Sequence, residues 1–186
     1  PEIAQILLKG RSDEVIVTIR EGLTMKQVDA YLEEENILPT ENFLLCAKSC
    51  TFEDYWFLNS KPSDQTLEGY LFPDTYFVDP DTVSGNSLIG RMLNNFDRQI
   101  TEDMKSEIAK RGLSMHQIVT MASLIEKESR KPEEKPIISG ILWKRLELKM
   151  PLGVDATVRF ALEKWTGPLT EQDLGTKSPY NTRKFS

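Results

Sequence analysis

Residues 15–32 read VIVTIREGLTMKQVDAYL, and their pattern changes period part-way through. VIVTIR (15–20) is β-branched and alternating, which predicts a strand. Four residues later, Thr24-Met25-Lys26-Gln27 has the form of a capping box, opening a helix whose inner side carries Val28, Tyr31 and Leu32. Pro39 closes that unit. Residues 41–58 have a helical, aromatic-rich pattern, 59–66 (NSKPSDQT) are loop, and GYLFPDTYFV (69–78) is strand-like. Pro73 lies inside that last run, so it predicts an edge, a bulge or an irregular ligand-lining segment. Beyond the loop DPDTVSGN (79–86), Leu88, Ile89, Met92, Leu93 and Phe96 recur at helical spacing. Gly112 reads as a helix stop, and Ser114-x-x-Gln117 as a second capping box. Pro132 and Pro136 precede another helical stretch, Met150-Pro151-Leu152-Gly153 reads as a turn, and a short helix follows Asp155. Strands early and helices late predict an α+β fold, a small β-sheet subdomain followed by a helical one. Residues 1–10 (PEIAQILLKG) read as the last helix of a preceding element.

Composition narrows the chemistry. With 186 residues, 39% hydrophobic and 28% charged, the chain can bury a real core. Its 23 basic and 29 acidic residues give a net charge of −6, without the basic stripe of a nucleic-acid binder. One histidine, His116, and two cysteines, Cys46 and Cys50, are too few and too far apart for a zinc site. The C-x3-C spacing puts both sulfurs on one helical face, where two small buried hydrophobes are expected. No G-x-S-x-G elbow accompanies His116. Gly85 and Gly90 have the spacing of a phosphate-binding loop, but Arg91-Met92 follow instead of Lys-Ser/Thr. Carboxylate chemistry, or no chemistry, is what remains.

MASLIEKESR (121–130) is where that chemistry would sit. At 100° per residue, Ile118, Met121, Ala122 and Ile125 form one apolar face. Glu126 and Glu128 project roughly 200° from one another, so they cannot act as a close pair. Glu128 follows Met121 and Leu124 at helical spacing, Glu126 follows Val119 and Ala122. The bulkier neighbours predict deeper desolvation for Glu128, the setting a general acid needs. It is expected to be partly buried and to face a groove, with Lys127 pointing away. The plain alternative is two solvated carboxylates, Glu128 pairing with Lys131 at i+3.

LEGYLFPDTYFV (67–78), VTMASLIEKESR (119–130), GILWKRLELKMPLGVDATVRFAL (140–162) and SPYNTRKFS (178–186) together resemble, in order and spacing, the signature blocks of the YceG-like endolytic murein transglycosylases. The resemblance covers nearly the whole chain. It implies that Glu128, the second glutamate of the E-K-E run, is the catalytic residue, with Glu126 supporting it. It also implies no cofactor and no metal. By the same resemblance, residues 1–12 would be the tail of a LysM-like module and 13–186 a catalytic domain, incomplete at its C-terminus. The full protein would be anchored in the cell membrane by a single span, the catalytic domain on the outer face. Its substrate would be peptidoglycan glycan strands, with peptidoglycan synthases as further partners and no nucleic acid. Two positions depart from the family pattern: Gly153 stands where Gln is common and Phe160 where Tyr is usual.

The implied reaction cleaves the bond between N-acetylmuramic acid and N-acetylglucosamine without water, leaving a 1,6-anhydro-muramoyl end and terminating strand elongation. Glycoside hydrolysis uses two carboxylates, whereas here one suffices, because the substrate's own C6 hydroxyl is the nucleophile. Other positions follow from the matching blocks. Tyr70, Asp74 and Thr75 would line the sugar groove, or else form a Pro-interrupted edge with an Asp-capped turn. Asp155 would be an N-cap, or would orient Glu128 or a substrate hydroxyl. Tyr180 and Asn181 would bind substrate, and Trp56, Trp143 and Trp165 would be core residues. Two rival readings stay open: a non-catalytic wall-binding or scaffolding module, and a muramidase pairing Glu128 with Glu68 or Asp155.

Overall fold

A computed structural model describes residues 14–184, so the reading of residues 1–10 lies outside the described residues. Two strands, β1 (Val15–Thr18) and β2 (Thr75–Val78), pair antiparallel in the register Val15 to Val78 and Thr18 to Thr75. Two helices, α1 (Met25–Glu34) and α2 (Asn42–Ser49), lie between the strands, and α3 (Gly85–Gln99), α4 (Glu102–Lys110), α5 (Met115–Glu128), α6 (Lys135–Glu147), α7 (Asp155–Leu162) and α8 (Glu171–Leu174) follow them. The chain forms two compact units, one through Gln117 and one from Ile118. The α+β expectation holds, with the small sheet in the N-terminal part.

In the first unit, alternation along the strands does what period two requires. Val17, Tyr76 and Val78 are buried, while Ile16 and Phe77 face out. Residues 69–74 do not join the sheet: Pro73 has no N–H to give a ladder, and pairing begins only at Thr75. Both halves of the Thr24–Gln27 capping box form. Residues 41–58 are not one helix. Helix α2 ends at Ser49, and a single 3-10 turn, Trp56–Leu58, follows. Glu41, the residue before α2, has a left-handed backbone and no capping side chain. Asp29 of α1 supplies the cap instead, accepting from the Glu41 and Leu44 amides at 3.2 and 3.0 Å. Glu68 serves α1 in the same way, accepting from the Met25 amide at 3.2 Å. Gly85 opens α3 against α2, where a Cβ would lie 2.8 Å from the Asn42 carbonyl oxygen, so only glycine fits.

Cys46 and Cys50 are not two buried hydrophobes: they form a disulfide. Cys46 is in α2, but Cys50 stands just past its end and is exposed, and the Cα atoms are 4.8 Å apart, within bridging range.

Tyr70 belongs to this unit's core. It is 1% exposed, stacks between Phe57 and His116, and its hydroxyl meets His116 Nδ1 at 3.1 Å. Burial pushes this phenol up to about 12. The folded protein therefore keeps a proton that the unfolded chain has lost above its ordinary value near 10. Stability is full below that pH and falls as pH rises toward 12, by about 2.7 kcal/mol for a two-unit shift. Tyr70→Phe keeps the ring without the proton. Urea titrations at pH 9 and pH 11.5 are expected to show a wild-type loss roughly 2 kcal/mol larger than the variant's; equal losses would mean that Tyr70 titrates normally.

The second unit is built on Met121, Leu142, Leu152 and Val154, with Leu124, Ile125, Ile138 and Trp143 packed against them. The buried side of α5 is thus Met121, Leu124 and Ile125, and Ala122, expected on it, is exposed. Both halves of the Ser114–Gln117 capping box start α5. Lys131 precedes Pro132 and is extended (φ −132°, ψ 147°), so the helical path cannot run on into Pro132. Glu134 then caps the turn Pro132–Glu134, accepting from the Arg130 and Lys131 amides at 2.8 and 3.2 Å.

Candidate active site

Glu128 is the last residue of α5, and it is exposed. The expected order of burial is reversed, because Glu126 is the half-buried one, held by Lys135 at 2.7 Å. Glu126 sits a half-turn inside the helix, where Lys135, the first residue of α6, reaches it. Glu128 follows Met121 and Leu124 on the same helix, but those two side chains pack into the core of the unit and leave it exposed. The Glu128–Lys131 pair of the plain alternative does not form either, since Lys131 is no longer on the helix.

Exposure does not leave Glu128 on a bare convex surface. It borders two concavities within the second unit. One, about 400 Å³, is lined by Glu128, Arg130, Glu134, Ile137 and Ile138. The other, about 310 Å³, is lined by Lys127, Glu128, Asp155, Ala156, Arg159 and Trp165. Lys127 was expected to point away, but it lines the same concavity as Glu128, with its Nζ 5.2 Å from the centre of the Trp165 ring. Residues 127 and 128 are only 100° apart at the end of α5, and one concavity is lined by both side chains.

The carboxylates here differ in what they are bound to. Asp155 accepts from Arg183 Nε at 2.9 Å and Nη2 at 2.5 Å. Glu134 caps a turn, and Glu126 holds Lys135. Glu128 makes no hydrogen bond or ion pair among the described residues. Next to it, the Ser129 hydroxyl is buried and also lacks a partner among the described residues, an unsatisfied group that calls for an explanation.

The remaining candidates separate. Asp155 is not the N-cap of α7: Val154 is, and Asp155 is one residue inside, where its charge still suits the helix N-terminus. Asn181, expected to bind substrate, is 0% exposed, and its amide is consumed internally. Nδ2 donates to the Leu174 and Thr176 carbonyls at 3.0 and 2.9 Å, and Oδ1 accepts from the Arg183 amide at 3.1 Å. Tyr180 is exposed, its ring edge-on to Phe160 at 5.2 Å. In the first unit, Tyr70 is core and faces no groove. Asp74 accepts from the Thr75 amide at 2.7 Å and from Asn95 at 2.6 Å, which holds its carboxyl below the ordinary range. Thr75 shares a hydroxyl contact of 3.2 Å with Thr18 across the sheet. These two have the Asp-capped edge geometry.

Lys127, Arg159 and Trp165 were not selected by sequence reasoning. Trp165 was read as core, although it lies in the loop between α7 and Gly167-Pro168, a position that favours exposure.

The YceG-like family matches over residues 1–186. The chain belongs to the YceG-like family. This YceG-like chain is 34% identical over 184 residues to the endolytic murein transglycosylase of Bacillus subtilis (strain 168), covering 90% of this chain and 49% of that protein. It is 31% identical over 210 residues to the endolytic murein transglycosylase of Streptococcus pneumoniae serotype 2 (strain D39), covering 98% of this chain and 38% of that one. The crystal structure of a yceG-like protein from Listeria monocytogenes superposes with a TM-score of 0.81 at 29% identity, covering 98% of this chain and 64% of that chain. The YceG-like chain thus spans about half the length, or less, of the two transglycosylases and 64% of the Listeria chain.

Proposed function

We propose that this YceG-like chain is the catalytic part of a lytic murein transglycosylase, cutting within peptidoglycan glycan strands, with Glu128 as its acid and base. The observation that carries the reading is the unengaged carboxylate of Glu128, open to both concavities, beside Glu126, Glu134 and Asp155, which are each bound. In the first step, protonated Glu128 gives its proton to the glycosidic oxygen as the bond from C1 of N-acetylmuramic acid breaks. The carboxylate then takes the proton of the C6 hydroxyl as O6 bonds to C1. The products are a 1,6-anhydro-muramoyl end and a new N-acetylglucosamine end, and Glu128 is again protonated. A site open on two sides suits a cut within a strand rather than at its tip. The names of the relatives support the same activity.

The two-carboxylate alternative needs a free second carboxylate. Asp155 is held by Arg183, and Glu68 caps α1. The scaffolding alternative has no use for a carboxylate left unbound beside a concavity.

The substrate lies outside the cytoplasmic membrane, so we place the catalytic part there. The Cys46–Cys50 disulfide suits such an oxidising compartment. No helix among the described residues is long and apolar enough to cross a membrane. A membrane anchor, a LysM-like module ending near residue 12, a role in terminating strand elongation and contact with peptidoglycan synthases are further parts of the proposal, carried by the family resemblance.

Incubation with purified sacculi, followed by mass analysis of the released muropeptides, tests the reading. Anhydro-muramoyl ends are expected. Reducing ends would make the protein a hydrolase, and retention on sacculi without cleavage would make it a binding module.

A further inference from the structure

The two concavities that meet at Glu128 differ in charge. In the first, Arg130 is balanced by Glu134, whose carboxylate accepts from the Arg130 amide, and Ile137 and Ile138 complete an apolar wall. In the second, Asp155 is neutralised by Arg183, and Glu128 is the acid and base of the proposed reaction. That leaves two cations. Arg159 donates to the backbone carbonyls of Lys164 at 3.1 Å and Gly167 at 2.9 Å, which fix its guanidinium without cancelling its charge. Lys127 stands over the Trp165 ring and, among the described residues, pairs with no carboxylate. An ammonium on an aromatic face is held weakly enough to be redirected by an anion. Trp165 itself offers a flat apolar surface of the kind on which a sugar ring stacks.

We infer that the concavity lined by Lys127, Arg159 and Trp165 is a subsite for the muramoyl residue, stacking its ring on Trp165 and binding a carboxylate of its acidic substituent through Lys127. This rests on the function proposed above and adds strand direction to it. Of the two sugars at the cleaved bond, only N-acetylmuramic acid carries an acidic substituent. The cationic concavity therefore takes the sugar whose C1 is attacked, and the apolar one, with Ile137 and Ile138, takes the N-acetylglucosamine leaving group. The carboxylate has two sources: the stem peptide, or the lactyl group itself where the peptide has been removed.

Binding separates this inference from the catalytic one. Affinity is measured in Glu128→Gln protein, where no turnover is needed, with and without Lys127→Met, for three soluble strands: peptide-bearing, amidase-denuded, and peptide-bearing with all carboxyls blocked as amides. Lys127 is exposed, so its replacement leaves the fold intact. Lys127→Met is expected to raise Kd by about 10-fold or more on a strand whose carboxylate is bound, as loss of a charge-assisted hydrogen bond predicts. It is expected to change nothing on the blocked strand, and Lys127→Arg is expected to restore binding. A loss on denuded strands alone identifies the lactyl carboxylate, a loss on peptide-bearing strands alone identifies the stem peptide, and a loss on both means that Lys127 takes either carboxylate. Equal effects on blocked and unblocked strands, or no effect on either, would overturn the subsite. A wild-type protein that released no anhydro ends would overturn the proposed reaction and leave this binding result standing.

Discussion

Glu128→Gln is expected to lower the rate of anhydro-end release by at least ~10²–10⁴-fold, the usual contribution of a general acid–base group. Glutamine keeps the length and polarity of the side chain but has no proton to give at the glycosidic oxygen and no carboxylate to receive one from O6. The folded state should hardly notice the change. Glu128 is exposed and bonded to nothing among the described residues, so urea stability should stay within about 0.5 kcal/mol of wild type. Glu126→Gln is the matched control. It loosens a half-exposed ion pair with Lys135, worth about 0–1 kcal/mol. Its effect on rate should be far smaller, because a side chain roughly 200° round the helix cannot reach the same oxygen. Asp155→Asn should retain activity and still leave anhydro ends. If the two glutamate variants exchanged their effects, Glu126 would be the acid. If Asp155→Asn were as inactive as Glu128→Gln and wild type gave reducing ends, the enzyme would be a two-carboxylate hydrolase.

The features legible in the sequence were those decided within a few residues. The capping boxes at Thr24 and Ser114 form because Ser/Thr and Gln at i and i+3 satisfy each other's backbone amides without help from afar. The alternation in VIVTIR and the helical spacing of Leu88 to Phe96 are equally local, and both elements appear. What the sequence could not tell depended on where helices stop and what folds back. The spacing behind Met121 and Leu124 predicts burial for Glu128 on a helix that packs along its whole length, yet those two side chains turn into the core and leave it exposed. The helix ends at Glu128, and Lys131, extended ahead of Pro132, turns the chain away. The C-x3-C spacing predicts a helical position for Cys50, but it lies just past α2, bonded to Cys46. Asp29 and Glu68 gave no sign of their roles, since each caps a helix from a distant part of the chain. Tyr70 and Asn181 look like sugar-binding types, yet residue type does not distinguish a polar group that faces a ligand from one that holds a fold together.

Asn181 makes that last distinction testable. Its side chain ties the end of α8, through the Leu174 carbonyl, to the Thr176 carbonyl and the Arg183 amide. Arg183 in turn holds Asp155, and Thr182 beside it bonds the Val154 amide and the Thr157 hydroxyl at 3.0 Å each. Asn181→Ala removes one acceptor and two donors at a site with no exposed surface, leaving backbone groups unpaired in the interior. Each such group costs about 1–3 kcal/mol, and entry of water would relieve part of the sum, so a loss of roughly 3 kcal/mol is expected. That is a large share of the stability of an ordinary domain. Activity should fall with the folded fraction, and return toward wild type when assayed at low temperature or with an osmolyte. KM for glycan strands per folded molecule should not change. A substrate-binding asparagine would behave in the opposite way, with KM raised and the urea midpoint unmoved. Measuring both for Asn181→Ala and Glu128→Gln separates the two roles, since the first variant should lose stability at near-normal chemistry and the second should lose chemistry at normal stability.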